Sequence, residues 1–158
     1  MGKFNEWVKR QSKEGFVDFG MIVAHPKNTN EKIGFFVKFA LSDRYSDVIR
    51  YTIKAGISYN DEIPNCNFTI YDASVNINYS TKKAILLDNV VLLQYRGQGI
   101  GSLGLDYIKY FCKTQECICI SGHKNPIPNT PEEMAKLTAF YAKNGFENLP
   151  GDNILYKF

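Results

Sequence analysis

The sequence lacks long apolar runs and a strong charge imbalance, and both absences narrow its function. It has no stretch of 18 uninterrupted apolar residues, and its first ten residues carry no apolar core like that of a signal peptide. Its 19 Lys and Arg stand against 16 Asp and Glu, and the basic residues are scattered rather than interleaved with aromatic ones. We therefore expect a cytoplasmic protein whose main ligand is neither a membrane nor a nucleic acid.

Cysteines are also few, and their spacing does not indicate a metal site. Cys66, Cys112, Cys117 and Cys119 form no C-x-x-C pair of the kind that binds zinc. Cys117 and Cys119 fall on one face of a predicted strand, as core residues do. We interpret all four as reduced thiols and predict no bound metal.

The most informative stretch is residues 84–113, which form an apolar run, a glycine-dense turn and an amphipathic segment. The apolar run is too continuous for a half-solvated strand, which predicts a central strand covered on both faces. In the segment from Arg96 to Gly101, alternating glycines permit positive φ and the close approach of a bulky anion. Apolar residues then recur at helical spacing from Leu103 to Phe111, so a helix begins after the glycines. Free amides at its N-terminus would attract phosphate oxygens.

Three other interpretations of these glycines were open. Residues 99–104 spell G-x-G-x-x-G, the dinucleotide-binding fingerprint of some oxidoreductases, but the next strand ends in Ser121-Gly122-His123 and not in the expected acidic residue. A phosphate-binding Walker loop would need Gly-Lys-Ser/Thr after the glycines, and none is there. The third is a structural turn that binds nothing.

Arg96, Gly99 and Gly101 match the Arg/Gln-x-x-Gly-x-Gly/Ala motif of the GNAT superfamily of acyl-CoA-dependent N-acetyltransferases, which this segment resembles. Residues 140–146, Phe-Tyr-Ala-Lys-Asn-Gly-Phe, resemble the family's second signature, aromatic-Tyr-x-Lys-x-Gly-Phe. The resemblance covers about residues 46–158 and implies an α/β fold with a mixed, mostly antiparallel sheet flanked by helices. We expect one domain over residues 1–158, with a variable part at 1–45 and the acetyl-CoA pyrophosphate-binding core at 84–113.

The resemblance also implies site residues. In the family, loop amides bind the pyrophosphate of acetyl-CoA, and a backbone amide of the central strand polarises the thioester carbonyl as charge develops. The implied cofactor-binding residues are Val91, Leu92, Leu93, Arg96, Gly97, Gln98, Gly99, Ile100, Gly101 and Ser102. Tyr141 would protonate the departing thiolate, because a phenol and a thiol have comparable pKa values.

The general base is less well defined. Many members carry a glutamate on the central strand, where this chain offers only Asp88. His123 follows the next strand at the same end of the sheet and has a suitable intrinsic pKa. Members also place a cofactor-contacting asparagine seven residues before the tyrosine, where this chain has Met134. Asn125 or Asn129 could serve instead.

The implied function is transfer of an acetyl group from acetyl-CoA to a primary amine by direct attack. The alternative is a non-catalytic module that binds or senses acyl-CoA and acts through a partner, which the missing strand glutamate favours. The amine acceptor, a small molecule or a protein, cannot be read from the sequence. Many members form homodimers, so a homodimer is possible, although the sequence shows no interface.

Other patterns predict the remaining elements. We expect a helix at 4–14, a strand at 16–24, a strand with one wet face at 48–57 and a loop at 60–66. Between 28 and 41 a capping box of Asn28 with Glu31 favours a helix, although alternating Phe35, Val37, Phe39 and Leu41 fit a strand.

The second half of the chain predicts a strand over 67–79 with a bulge near Tyr71 and Asp72, followed by a hairpin turn at 80–83. A short strand at 116–120 should lie parallel to the central one. A helix should follow, with Thr130 as its N-cap and Gly145 at its end, and an edge strand at 153–158 should close the chain.

Overall fold

The computed structural model describes residues 16–18, 22–27, 31–39, 44–59 and 69–158. These residues contain ten strands and two α-helices. The strands are β1 (Phe16–Asp18), β2 (Ile22–Ala24), β3 (Glu31–Lys38), β4 (Arg44–Tyr45), β5 (Val48–Tyr59), β6 (Tyr71–Asn78), β7 (Lys83–Val91), β8 (Cys119–His123), β9 (Glu147–Leu149) and β10 (Asn153–Lys157). The helices are α1 (Ile100–Thr114) and α2 (Pro131–Lys143). Neither helix is both long and apolar enough to cross a membrane.

All ten strands belong to one sheet, ordered β1-β3-β5-β6-β7-β8-β10-β9, with β2 paired to β3 and β4 to β5. The β7–β8 pairing is parallel, and α1 is the connection that a parallel pair requires. The other pairings are antiparallel. The expected fold class, a mixed and mostly antiparallel sheet flanked by helices, is therefore confirmed.

Both helices pack on the same face of the sheet, which we call the helix face. Tyr107 of α1 stacks on Phe35 with ring centroids 5.4 Å apart, and Phe111 meets Tyr51 edge-on at 4.9 Å. All four side chains are almost completely buried. Each stabilises the fold by about 1.5–3 kcal/mol through burial alone. We call the other side of the sheet the open face, because neither α1 nor α2 covers it.

The helix expected between 28 and 41 is wrong, and the alternative of a strand is correct. β3 pairs with β5 through eight consecutive residues, so long-range hydrogen bonds outweigh a local capping signal. Ile33, Phe35 and Val37 are fully buried on one side, and Phe36 is buried on the other. The strand expected at 16–24 contains β1 and β2, which both pair with β3. The helix at 4–14 and the loop at 60–66 lie outside the described residues.

The bulge expected near Tyr71 and Asp72 is also wrong. β6 pairs with β5 without interruption, and the irregularity lies in its pairing with β7, where Ser74 faces Asp88 and Val75 faces Leu86. The extra residue is therefore Leu87 on β7. The sequence pattern was misleading because Ile70, which is completely buried, precedes the strand instead of continuing its alternation.

The central strand β7 is not covered on both faces by the described residues. Ala84 and Leu86 are buried on the helix face, whereas Ile85, Leu87 and Val90 are 47%, 38% and 50% exposed on the open face. The continuous apolar run predicted burial on both faces. It could not show that α1 and α2 both pack on one face of the sheet.

Near the C-terminus one further expectation changes. The predicted turn before β7 is present, and Thr130 caps α2 by accepting a hydrogen bond from the Glu133 amide at 3.2 Å. The last strand, β10, is not an edge, because it lies between β8 and β9. The sequence analysis missed β9, whose three residues are all exposed and carry little apolar pattern.

Candidate functional site

A cleft opens where β7 and β8 separate. The two strands are paired only from Lys83 to Leu86 on β7, although β7 continues to Val91. The space beyond holds a cleft of about 570 Å³. Its walls are the end of β7, the glycine loop, the segment after β8 and one face of α2, namely Asn89, Val90, Val91, Tyr95, Arg96, Gly97, Gly99, Ile100, Gly101, Ser102, Asn125, Pro126, Ile127, Glu133, Lys136, Leu137, Phe140 and Lys143. This volume is typical of a small-molecule site.

The glycine loop at one end of the cleft has a backbone that its glycines make possible. A 3-10 turn at Leu93–Tyr95 is followed by Gly97 with φ +74° and Gly99 with φ +83°, and α1 begins at the next residue. Side chains are strained at such angles. A Cβ on Gly99 would also lie 3.3 Å from Pro26 Cγ, whereas one on Gly97 would meet open space.

The loop and the first turn of α1 are suited to an anion. The first amides of a helix have no intrahelical acceptor, and here neither a capping side chain nor an acidic residue in the first turn satisfies them. Three cations, Arg96, Lys136 and Lys143, line the cleft with one carboxylate, Glu133. The open space at Gly97 leaves room for a bulky group, so these residues fit the pyrophosphate of coenzyme A.

Two hydrogen bonds fix the loop in place. Arg96 Nε donates to the Val91 carbonyl at 3.0 Å, which ties the loop to the end of β7. Lys27 Nζ donates to the Gly97 carbonyl at 2.9 Å. Both bonds use carbonyl oxygens as acceptors, so neither occupies an amide of the loop.

The end of β7 offers one amide to the cleft. The Leu92 amide donates to the Ile70 carbonyl at 2.8 Å, so it points back into the sheet. Successive backbone groups of a strand point to opposite edges. The Val91 amide therefore points toward the edge of β7 where pairing with β8 has ended. Of the three residues predicted to polarise the thioester carbonyl, Leu92 is excluded and Val91 is suitably placed.

Tyr141 lies on α2 with its ring between Phe140 and Phe146, at centroid distances of 5.3 and 5.4 Å. Its side chain is 5% exposed, and its hydroxyl forms a hydrogen bond with Asn89, which lines the cleft. Burial raises the pKa of Tyr141 above its ordinary value, and the bond to Asn89 opposes that rise. The Tyr71 hydroxyl donates to the same Asn89. Tyr141 is thus a buried, protonated phenol one hydrogen bond behind the cleft wall, which it contacts through Asn89.

The two candidate bases lie elsewhere. Asp88 is exposed on the open face and lines a second cavity. His123 is exposed at the end of β8, with its Nδ1 3.2 Å from Asn153 Oδ1, and lines a third cavity. Tyr141 instead packs on the helix face, so these three side chains do not share one cavity. Val90 lines both the cleft and the Asp88 cavity, and it connects the two.

Sequence reasoning missed several lining residues. Glu133, Lys136 and Lys143 lie on the same face of α2 as Leu137 and Phe140, and this helical spacing was the available signal. Asn89 had no such signal, because its position depends on the bulge at Leu87. Of the two loop asparagines considered as substitutes for the family's asparagine, Asn125 lines the cleft.

No protein-family model matches the chain, and no curated protein sequence matches it significantly. Solved structures do match. The IAA acetyltransferase from Bacillus cereus superposes with a TM-score of 0.54 at 14% identity, over 69% of this chain and 78% of that one. A tandem GNAT protein from the clavulanic acid biosynthesis pathway superposes with a TM-score of 0.53 at 12% identity, over 70% of this chain and 32% of that one. The chain has the GNAT fold.

A further structural neighbour was solved with coenzyme A bound. The PaiA N-acetyltransferase from Thermoplasma acidophilum, in complex with coenzyme A, is 19% identical over 71% of this chain, with a TM-score of 0.49. The match spans 62% of that protein's length. At 14% and 12% identity, the likeness to the first two structures establishes the fold alone.

Proposed function

We propose that the protein is an acetyl-CoA-dependent N-acetyltransferase that acts on a primary amine. The observation that carries this proposal is the cleft between β7 and β8, which is lined by the glycine loop with the first turn of α1 and by Asn89, the hydrogen-bond partner of the Tyr141 hydroxyl. The GNAT fold supports it. A structural turn that binds nothing would need neither the open space at Gly97 nor the excess of cations.

In this proposal the residues from Gly97 to Ser102 hold the pyrophosphate through their amides, and Arg96, Lys136 and Lys143 offset its charge. Val90 and Ile127 form an apolar part of the cleft wall, against which the rest of coenzyme A would lie. Acetyl-CoA would supply an activated thioester at the inner end.

The chemistry requires three tasks of the chain. The Val91 amide stabilises the negative charge that develops on the acyl oxygen as the new C–N bond forms. Tyr141 gives its proton to the sulfur as the C–S bond breaks. Asp88 or His123, directly or through water, accepts the proton that the amine must lose, because a protonated amine has no lone pair. Raised by burial, the pKa of Tyr141 keeps it in the proton-donating form through neutral and mildly alkaline pH.

Substituting Tyr141 by Phe tests the assignment. We expect kcat to fall by about 10²–10⁴-fold while the Kd for acetyl-CoA stays within about twofold, because only a proton donor is removed. Titration calorimetry gives the affinity, and thiol release with a panel of amines gives the rate. Tyr156→Phe is the matched control, since Tyr156 packs against Phe146 as Tyr141 does but is not a hydrogen-bond partner of Asn89. Equal turnover in Tyr141→Phe and wild type would refute the role.

A second candidate function is a module that binds or senses acyl-CoA without turnover. It is favoured by the separation of Asp88 and His123 from the Tyr141 end of the cleft. Tight binding of acetyl-CoA with no thiol release for any amine would select it. Absence of binding to both acetyl-CoA and coenzyme A would remove both functions.

A further inference from the structure

The open face of the sheet carries a charged cavity of about 610 Å³ that the cofactor cleft does not include. It lies over the middle of the sheet. Its lining residues are Lys38, Arg50, Thr52, Lys54, Asp72, Ser74, Asp88 and Val90, which come from β3, β5, β6 and β7. All but one are polar, so the cavity is suited to a charged ligand.

The charges in this cavity are separated by sign. All three cations lie on β3 and β5, whereas both carboxylates lie on β6 and β7. One line of register partners crosses the cavity: Lys38 faces Thr52, Thr52 faces Ser74, and Ser74 faces Asp88. Two hydroxyls therefore stand between a positive end and a negative end.

The dimensions follow from the spacing of strands. Neighbouring strands lie about 4.8 Å apart, so β5 and β7 are separated by roughly 10 Å and β3 and β7 by roughly 14 Å. Lysine and arginine side chains extend several ångströms into this gap. A ligand that contacts both ends must therefore hold its charges several bonds apart.

At the boundary between the two halves, Lys54 Nζ and Asp72 Oδ2 are 3.7 Å apart. Desolvation raises the pKa of Asp72, the positive charges of Lys54 and Lys38 oppose the rise, and the negative charge of Asp88 adds to it. The two carboxylates repel each other, so a cation placed beside both would be stabilised.

The negative end adjoins the cofactor cleft. Asp72 faces Val90 across the β6–β7 ladder, and Val90 lines both the charged cavity and the cleft. An amine held by the carboxylates would therefore lie next to the place where the cleft reaches the open face.

We propose that this cavity binds the amine acceptor, and that the acceptor is a small primary amine with an anionic group at its far end. Asp72 and Asp88 hold the ammonium, and Lys38 and Arg50 hold a carboxylate or a phosphate. This inference rests on the proposed acetyltransferase function, whose substrate class it specifies.

The test is a titration of matched amines into the protein, with and without saturating coenzyme A. The series runs from glycine to 6-aminohexanoate, with hexylamine, 1,6-diaminohexane and 6-aminohexyl phosphate as comparisons. We expect 6-aminohexanoate or its phosphate counterpart to bind about tenfold more tightly than hexylamine or the diamine, and more tightly than glycine. The stronger of the two anionic ligands identifies the group that the positive end prefers.

Two variants locate the effect. Arg50→Gln should remove most of the preference for ligands with an anionic end. Asp88→Asn should weaken the binding of every amine in the series by about tenfold. Lys83→Gln is the control, because Lys83 is an exposed cation on β7 that does not line the cavity. It should bind the series as the wild type does.

The outcomes separate this inference from the proposed function. Equal affinity for hexylamine, the diamine and 6-aminohexanoate overturns the inference, as does a preference that survives in Arg50→Gln. Failure of acetyl-CoA to bind overturns the proposed function instead, and the titration without coenzyme A still decides whether the cavity recognises both ends of the ligand.

Discussion

Replacing Gly104 by Ala should destabilise the protein, although the same change stabilises most helices. Gly104 lies inside α1, where its backbone touches the ring of Tyr71 on β6. A Cβ at this position would lie 2.3 Å from Tyr71 Cζ and 2.6 Å from its hydroxyl oxygen. The ring cannot easily move, because Tyr71 is 1% exposed and meets Phe35 edge-on at 5.9 Å.

Two opposing contributions set the size of the effect. Alanine is favoured over glycine in a helix interior by about 1 kcal/mol. Overpacking a closed core costs about 1–3 kcal/mol, and more where the obstacle is rigid. Displacing Tyr71 would also disturb its hydrogen bond to Asn89, at a further cost of about 1 kcal/mol. We expect a net loss of about 1–3 kcal/mol in the free energy of unfolding.

Urea denaturation followed by circular dichroism measures this loss, and a double-mutant cycle assigns it. Leucine at position 71 is too short to reach the new Cβ. The loss of free energy of unfolding in the double variant Tyr71→Leu, Gly104→Ala should therefore be smaller than the summed losses of the two single variants by at least about 1 kcal/mol. A Gly104→Ala variant as stable as the wild type, or more so, would refute the close approach of α1 to β6.

Two further predictions concern a backbone and a buried charge. Gly99→Ala should lower the free energy of unfolding by about 1–2 kcal/mol through its φ of +83° and should also weaken acetyl-CoA binding in calorimetry. Gly151 has a similar φ of +72° but does not line the cleft, so Gly151→Ala should lose stability without losing affinity for acetyl-CoA. Equal losses of affinity in the two variants would contradict the role of the loop. Lys124 is 6% exposed and donates to Thr138 Oγ1 and Asn148 Oδ1, both at 2.9 Å. Lys124→Met should cost about 1–3 kcal/mol in chemical denaturation, and unchanged stability would show that these bonds contribute nothing.

The features that the sequence determined by itself are those that depend on neighbouring residues in the chain. The glycine loop before α1, the Thr130 cap of α2 and the alternation of β5 were all predicted correctly, because each depends on the φ preference, hydrogen bonding or burial of neighbouring residues. These patterns were enough to predict an α/β fold with a mixed sheet and the glycine loop that lines the cleft.

Tertiary structure decided the rest. Only the long pairing with β5 makes β3 a strand, and only the bulge at Leu87 turns Asn89 toward Tyr141 and Asp88 toward the open face. In a strand, one inserted residue exchanges the two faces for every residue beyond it. Because that register is fixed by partners distant in the chain, the sequence could name Asp88 as a candidate base but could not say which cavity it lines.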